Sequence, residues 1–435
     1  MKYLAVLGRQ PEISLSELEA LFSNVQKISQ NLASFNINTK NTSIKRHKGK
    51  ISDSTAEGAQ QCDKISNLSH CEAPEMRNFC VEPNINRLGG TLKLAIKLDY
   101  KPLEFLQNLP AGKITFGISD YSNKATNKSA RLEALKLKKI LIRHGRSVRV
   151  VENRQAVLST ATSLHNGLSS QNERKVEFIK LNQEWYKVIG VQNINAYARR
   201  DQARPARDAK VGMLPPKLAQ ILINLCGPLP QGSHILDPFC GTGVLLQEAL
   251  LMGYQAYGTD IDKRMVEYSN RNIKWISKNT LEGTLAGCCR ECRTPSPVKT
   301  GARTSGPEKV FFEIQQGDAT DFQWSQPIDA VACESYLGQP MSQIPTDIKL
   351  KQQEQVCSTI ILGFLKNLSN QIKPNTPIIL AAPAWLRADG TYKRLEILAF
   401  LDKLGYNVNN KTREGLLYYR NGQIVARDIL ILRKK

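Results

Sequence analysis

The sequence contains no run of 18 apolar residues, so we expect no membrane-spanning helix. Its first apolar segment, residues 3–7, is too short for a secretory signal peptide. The ten cysteines do not resemble a disulfide framework, because several lie in apolar or motif surroundings, as reduced core thiols do. Those cysteines are Cys226, Cys240, Cys333 and Cys357. Together these absences lead us to expect a cytoplasmic protein.

Acidic residues are scarce relative to basic ones. The 435 residues include 60 Lys and Arg but only 39 Asp and Glu, which gives a formal net charge of +21. This excess favours an anionic partner, most simply a nucleic acid, although a basic surface that serves only solubility gives the same composition. The length suffices for two or three domains with cores of their own.

Two segments lack the apolar periodicity of the rest. Residues 36–86 are rich in Asn, Ser, Lys, Gly and Thr, and residues 283–308 interrupt an alternation of strand and helix. We interpret both as mobile insertions. Their cysteines lack the spacing or the fourth ligand of a usual zinc site, so we predict no metal. These cysteines are Cys62, Cys71, Cys80, Cys288, Cys289 and Cys292.

The pattern of residues 1–195 predicts one α+β region. A capping box formed by Ser14 and Glu17 is predicted at the start of its first helix. A longer helix is predicted over residues 129–144, with Leu132, Leu135, Ile140 and Leu141 on or near its apolar face. Strands are predicted over residues 3–7, 91–96, 113–118, 147–151, 176–181 and 185–191.

Basic residues cluster on the predicted helix 129–144 and just after it. We interpret this cluster as a surface that contacts nucleic-acid phosphates, but a solvated helix face explains the pattern equally well. Its members are Arg131, Lys136, Lys138, Lys139, Arg143, Arg146, Arg149 and Arg154. A polar linker and entry segment follows over residues 196–216, and strands then alternate with helices over residues 217–435.

The segment HILDPFCGTG, residues 234–243, predicts a short buried strand, a glycine turn and the start of a helix. Gly241 and Gly243 remove side chains from the turn, so that a ligand can approach the backbone. A second strand then leads to Asp260, which lies 23 residues after Asp237, about where a carboxylate accepts hydrogen bonds from a ribose diol. The spacing predicts a nucleoside site.

The turn does not fit a dinucleotide. A dinucleotide fingerprint requires a third glycine where this chain has Leu246, and Asp237 precedes the turn, where it repels a pyrophosphate. Asp237 suits a cationic ligand that carries an amino acid, such as S-adenosylmethionine. An NAD site and an ordinary strand-to-helix turn without a ligand remain the alternatives.

Two further strand ends carry polar side chains. Asp318 follows one strand and is a candidate to accept the adenine amino group, or else a helix N-cap. Glu334 and Tyr336 follow the next strand. Because ligands of open α/β sheets lie at the carboxyl ends of the strands, Glu334 is placed to accept an N–H of an amine that receives a methyl group, and Tyr336 to stack on a base. A polar strand end without function is the alternative for Glu334.

Three segments carry a resemblance to a family: RPARDAKVGMLPPKLA (residues 204–219), LDPFCGTG (236–243) and GTDID (258–262). With them the chain resembles the THUMP-linked tRNA guanine-N2 methyltransferases, the group that modifies guanosine 10 of tRNA in archaea and eukaryotes. The resemblance is strong over residues 190–280 and loose over 310–435.

The turn Asn421–Gly422, between residues 416–420 and 423–432, predicts an antiparallel hairpin at the end of the chain. The resemblance implies a Rossmann-like class I methyltransferase domain that ends in such a hairpin, behind a THUMP-like region that grips tRNA. It implies S-adenosylmethionine as the cofactor, held by Asp237, Phe239, Gly241, Gly243, Asp260, Asp262, Asp318 and Ala319. It also implies RNA contacts at Arg131, Lys138, Lys139, Arg143, Arg204, Arg207 and Lys210.

One motif departs from the family. The amino-methylating motif is Asp or Asn, Pro, Pro, then Tyr or Phe, whereas residues 334–337 of this chain read ESYL. The prolines fix the backbone carbonyl that orients the amine. From the resemblance we expect transfer of a methyl group to the N2 amine of a tRNA guanosine. Because the prolines are absent, we keep two alternatives open: methylation of rRNA or of DNA adenine, and an inactive RNA-binding relative.

Overall fold

The structure, a computed structural model, describes residues 1–37, 83–152, 154–168, 172–208, 213–278 and 311–435. Both predicted insertions and six of the ten cysteines lie largely or wholly outside these ranges, so the predictions made for them stay predictions. The four other cysteines are buried and free, as expected of reduced core thiols. None of the described helices is both long and apolar enough to cross a membrane.

The strands of the described residues are β1 (Lys2–Leu7), β2 (Gln26–Ser29), β3 (Leu32–Asn36), β4 (Thr91–Lys97), β5 (Ile114–Asp120), β6 (Val148–Val150), β7 (Lys175–Leu181), β8 (Glu184–Val191), β9 (His234–Asp237), β10 (Gln255–Asp260), β11 (Phe312–Gln316), β12 (Ala330–Glu334), β13 (Pro377–Leu386), β14 (Tyr392–Arg394), β15 (Tyr406–Val408), β16 (Leu417–Tyr418) and β17 (Val425–Lys434). The helices are α1 (Pro11–Leu21), α2 (Pro102–Gln107), α3 (Asn127–Arg143), α4 (Thr160–His165), α5 (Ile194–Gln202), α6 (Pro216–Leu225), α7 (Val244–Leu251), α8 (Lys263–Ile276), α9 (Asp347–Ser369), α10 (Leu398–Leu401) and α11 (Asn410–Glu414).

The first half of the chain forms one mixed sheet in the order β2-β3-β1-β4-β8-β7-β5-β6. Strand β5 runs parallel to both of its neighbours, and the other pairs are antiparallel. The six strands predicted here are present within one or two residues of their expected bounds. The region is therefore α+β, as predicted, and its THUMP identity stays a prediction.

The second half forms a sheet in the order β11-β10-β9-β12-β13-β17-β15. The first five of these strands are parallel, and β17 inserts antiparallel between β13 and β15. Helices α6 and α7 cover one face of the sheet, and α9 covers the other. The Rossmann-like α/β class is thus as predicted, and it brings the carboxyl ends of β9, β10, β11 and β12 to one edge.

The predicted terminal hairpin is present, but its first strand is short. Residues 417–418 do pair with β17, but β16 has only two residues and lies off the main sheet path. The antiparallel strand that extends the sheet beyond β17 is β15, which the sequence pattern did not predict. A three-residue strand gives too short a period to be recognised, whereas the Asn421–Gly422 turn is a strong local signal.

The predicted capping box in α1 is wrong. The helix begins at Pro11, and Glu17 is fully buried, where it accepts hydrogen bonds from the Gly89 and Gly90 amides at 2.9 and 2.8 Å. Asn224 of α6 donates a third bond at 2.7 Å. Glu17 therefore joins the two halves of the chain instead of closing its own helix.

The linker and the basic helix also differ in detail. Residues 194–202 form α5 instead of a polar linker, and Tyr197 packs into the core. Helix α3 is present and is capped by Thr126. Its buried face consists of Ala130, Ala134, Leu137 and Leu141. Of the predicted apolar positions, Leu141 is buried as expected and Ile140 is half-buried, whereas Leu132 and Leu135 are exposed.

Candidate functional site

A cavity of about 820 Å³ lies at the carboxyl edge of the second sheet. This volume is typical of small-molecule sites. The sheet-edge cavity, as we call it, is lined by residues that follow β9, β10, β11 and β12 and by one turn of α9. The predicted residues that line it are Asp237, Phe239, Gly241, Asp260, Asp262, Asp318, Ala319, Glu334 and Tyr336.

The two glycines of the turn have different roles. Both adopt a positive φ, +50° at Gly241 and +76° at Gly243. Gly241 lines the cavity, whereas Gly243 is not among the lining residues. A Cβ atom at Gly243 would lie 2.6 Å from Ser269 Oγ and 3.1 Å from Ser269 Cα, so this glycine allows the turn to pack against α8. The structure thus shows a packing role for Gly243, and the predicted ligand contact there stays a prediction.

Asp260 connects the ends of two strands. Its Oδ2 accepts the Gly241 amide at 2.8 Å, and its Oδ1 accepts the Asp262 amide at 2.9 Å. Burial raises its pKa, and these two amide bonds oppose that shift. Each carboxylate oxygen has a second lone pair. The side chain is thus held in place while it can still accept a hydroxyl of a ligand.

Asp237 is the most deeply buried acid of the cavity, with 3% of its surface exposed. The amide of Phe239 donates to its Oδ1 at 3.2 Å. Burial raises its pKa well above the usual value, and the nearby carboxylates of Asp260 and Glu334 raise it further. A cation bound beside Asp237 would oppose both shifts, because an opposite charge nearby favours the ionised carboxylate and lowers its pKa.

The remaining cofactor candidates shape the rim. Asp318 accepts bonds from the amide and hydroxyl of Thr320 at 2.9 and 2.8 Å, which closes a local turn and does not cap a regular helix. Asp262 caps α8 by accepting the Arg264 amide. Phe239 meets Phe364 of α9 edge to face, with ring centroids 5.2 Å apart. The ring thereby closes one wall of the cavity.

Glu334 ends β12 at the cavity wall and is paired with a cation. Arg427 of β17 donates from Nε to Glu334 Oε1 at 2.7 Å, and the two side chains are only 8% and 16% exposed, in that order. The amide and hydroxyl of Ser335 both donate to the Ala381 carbonyl at 3.1 Å. Tyr336 lies half-buried, and Gln339 donates to its hydroxyl at 3.3 Å. This arrangement fixes Glu334 without prolines.

Sequence reasoning missed several residues of the cavity. Asp208 is buried in its wall and pairs with Arg264 at 3.1 Å, and Gly363 contributes from the middle of α9. Arg427, which holds Glu334, was missed as well. Asp208 lies inside the family-like segment 204–219 and could have been found there, but Gly363 and Arg427 carry no local signal because only the tertiary fold brings them near.

The predicted RNA contacts are scattered. Lys139 and Arg143 are exposed on α3, Lys138 is half-buried there, and Arg131 is 3.7 Å from Glu152. None of these four lines the sheet-edge cavity.

Three further RNA contacts were predicted in the segment before α6. Arg207 is exposed, and Lys210 lies outside the described residues. The prediction for Arg204 is wrong: its side chain is buried, with Nη2 at 3.2 Å from Met213 Sδ and 3.6 Å from Asp201, so it does not present its charge to an RNA backbone.

Known proteins are similar to parts of this chain. Residues 204–355 match the UPF0020 family, described as an RMKL-like methyltransferase domain. A tRNA (guanine(10)-N2)-dimethyltransferase of Methanothermobacter thermautotrophicus is 38% identical over 127 residues, which is 26% of this chain and 37% of that protein. The enzyme of the same name from Pyrococcus abyssi is 45% identical over 62 residues, 14% of this chain and 18% of its own. The matches thus span well under half the length of these relatives.

Among solved structures, TrmN from Thermus thermophilus aligns over 100% of both chains, with 15% identity and a TM-score of 0.43. The family match covers the glycine turn, the acids of the cavity and the ESYL segment. Residues 204–355 are therefore similar to an RMKL-like methyltransferase domain.

Proposed function

We propose that this protein is an S-adenosylmethionine-dependent tRNA methyltransferase that transfers a methyl group to the exocyclic N2 amine of a guanosine. One observation carries the proposal: carboxylates from four successive strand ends of the parallel sheet face one cavity beside a glycine turn. That set of acceptors suits a ligand with positive charge and hydroxyl groups, and it repels a phosphate.

The residues present fit S-adenosylmethionine. Asp237, buried and short of positive charge, would hold the ammonium and sulfonium side of the molecule. Asp260 would accept the ribose hydroxyls with its remaining lone pairs, and Asp318 would accept the adenine amino group at the rim. When bound, this cofactor supplies an electrophilic methyl group.

The far wall of the cavity would hold the acceptor base. Glu334 would accept an N–H of the exocyclic amine and so turn the nitrogen lone pair toward the cofactor, and Tyr336 would pack on the base. Such positioning supplies most of the rate in a transfer between two bound molecules. The exposed cations Lys139 and Arg143 on α3 would contact the tRNA backbone.

The names of the relatives support tRNA as the substrate class, and a cytoplasmic location belongs to the same proposal. The test is transfer of labelled methyl from S-adenosylmethionine to total tRNA, rRNA and duplex DNA offered separately. Label in tRNA alone is the expected result. Preferential label in rRNA or DNA would replace the proposed substrate, and binding of S-adenosylmethionine without transfer to any acceptor would indicate an inactive relative.

A further inference from the structure

The ion pair between Arg427 and Glu334 crosses the sheet. Arg427 lies on β17 opposite Pro383, and Glu334 lies on β12 opposite Ala381, so strand β13 separates the two charged residues. Ala381 and Pro383, the β13 residues in these two pairs, are both small. The guanidinium can therefore reach diagonally over β13 to the carboxylate.

A buried ion pair adds little net stability to a fold. Both side chains are more than four-fifths buried, and the free energy needed to remove two charged groups from water is of the same order as their mutual attraction. Apolar residues of similar size in place of a buried ion pair often leave stability unchanged or raise it. The pair therefore indicates a requirement for a carboxylate at the cavity wall, with Arg427 present to serve it.

The pairing leaves one oxygen of Glu334 free. Arg427 Nε bonds only Oε1, and Oε2 makes no hydrogen bond to any residue that the structure describes. Glu334 lines the sheet-edge cavity. On the adjacent backbone, Ser335 is fixed by its two bonds to the Ala381 carbonyl. One oxygen and the backbone are thus anchored, and the second oxygen remains as an acceptor.

We propose that Arg427 is the positioning residue for the methyl acceptor: by holding Oε1 of Glu334, it directs Oε2 to accept an N–H of the exocyclic amine. This inference rests on the proposed function. Ser335 and Arg427 together do here what two consecutive prolines would do by rigidity. Arg427 is not among the residues that line the sheet-edge cavity, so it acts through Glu334.

The experiment compares Arg427→Met, Arg427→Lys, Glu334→Gln and the double variant Arg427→Met/Glu334→Gln with the wild type. Arg433→Met is the matched control, because Arg433 is exposed near the far end of the same strand. For each we measure melting temperature, Kd for S-adenosylmethionine, and kcat and KM for tRNA. A displaced catalytic group costs up to about 100-fold in rate, so we expect kcat to fall by about 10- to 100-fold in Arg427→Met.

The Kd for S-adenosylmethionine is expected to stay within about twofold of the wild type, since the change lies on the acceptor side. Arg427→Lys should recover part of kcat, and the double variant should lose no more than Glu334→Gln alone. Wild-type kcat in a folded Arg427→Met variant would overturn the inference, as would losses that multiply in the double variant. If Arg427→Met does not fold, the double variant Arg427→Met/Glu334→Gln, which leaves no unpaired buried charge, decides instead: a kcat lower than that of Glu334→Gln alone overturns the inference. A wild type that transfers no methyl overturns the proposed function itself, and the inference with it.

Discussion

Asp260 Oδ2 accepts a hydrogen bond from the Gly241 amide at 2.8 Å, so the acid that ends β10 fixes the turn that follows β9. The same carboxylate accepts the Asp262 amide at 2.9 Å, and it also lines the cavity. Because one side chain shapes the turn and lines the cavity, we expect the stability of the fold and ligand binding to be coupled at this position.

Replacing Asp260 by Asn should lower both the stability of the fold and the affinity for S-adenosylmethionine. An amide side chain has only one oxygen, so one of the two backbone amides loses its acceptor, which costs about 1–3 kcal/mol of unfolding free energy. The Kd for S-adenosylmethionine should rise by about tenfold for one lost hydrogen bond. Urea unfolding and calorimetric titration measure the two effects. Asp262→Asn is the control, since Asn also caps helices, and an equal loss of stability there would contradict the coupling.

The affinity for S-adenosylmethionine should depend on pH through Asp237. Burial raises the pKa of this acid well above its usual value, and Asp260 and Glu334 raise it further. A bound cation favours the ionised form, so binding releases the proton. Affinity should therefore increase as the pH rises from acidic values through the raised pKa, and level off above it.

Titrations across a pH series would measure this dependence in the wild type and in Asp237→Asn. The variant should bind more weakly at neutral pH and lose most of the slope, whereas the exposed change Asp389→Asn should leave both unchanged. A wild-type affinity that does not vary with pH would contradict the role given to Asp237.

The junction between the two halves should make stability depend on pH. Burial raises the pKa of Glu17 to about 7, from an ordinary value of 4.5. The folded state then holds a proton that the unfolded state has lost, so the contribution of Glu17 is complete below pH 4.5 and is lost as the pH rises to about 7. The full shift corresponds to about 3 kcal/mol. Urea unfolding of Glu17→Gln should show a smaller decline across this window, and Glu12→Gln, exposed on the same helix, should follow the wild type.

Gly243 offers a test of close packing in the glycine turn. Gly243 and Gly422 both have a φ of +76°, but a Cβ atom at Gly422 meets nothing within 4 Å. Alanine at either position carries the same backbone strain of about 1–2 kcal/mol. In Gly243→Ala, the clash with Ser269 should lower the free energy of unfolding by a further amount of about 1–3 kcal/mol, the usual effect of overpacking. Equal destabilisation of the two variants in urea unfolding would show that packing against α8 does not matter.

Local patterns in the sequence predicted the parts of the fold that are themselves local. The strand-turn-helix segment around Gly241, and the strand that leads to Asp260, lie where their spacing indicated. Glu17 was misread because its partners, Gly89 and Asn224, are distant in sequence. Arg204 was misread because a charged residue in a polar segment gives no sign that the fold will bury it.

The part of the cavity around Glu334 shows the same limit of prediction from sequence. The resemblance identified ESYL as a departure from the family motif, but it could not reveal Arg427, the residue that we propose to hold Glu334, since 93 residues separate the two. Such a tertiary contact becomes visible only when strand order and register are known.

The most direct test of the account is nucleoside analysis of tRNA after incubation with S-adenosylmethionine and the protein. The wild type should produce N2-methylated guanosine. The product should disappear in Asp237→Ala, which removes a proposed cofactor contact, and in Glu334→Ala, which removes the proposed acceptor contact. A different methylated nucleoside, or an unchanged yield of N2-methylated guanosine from Glu334→Ala, would contradict the assignment of the sheet-edge cavity as a guanine-N2 methylation site.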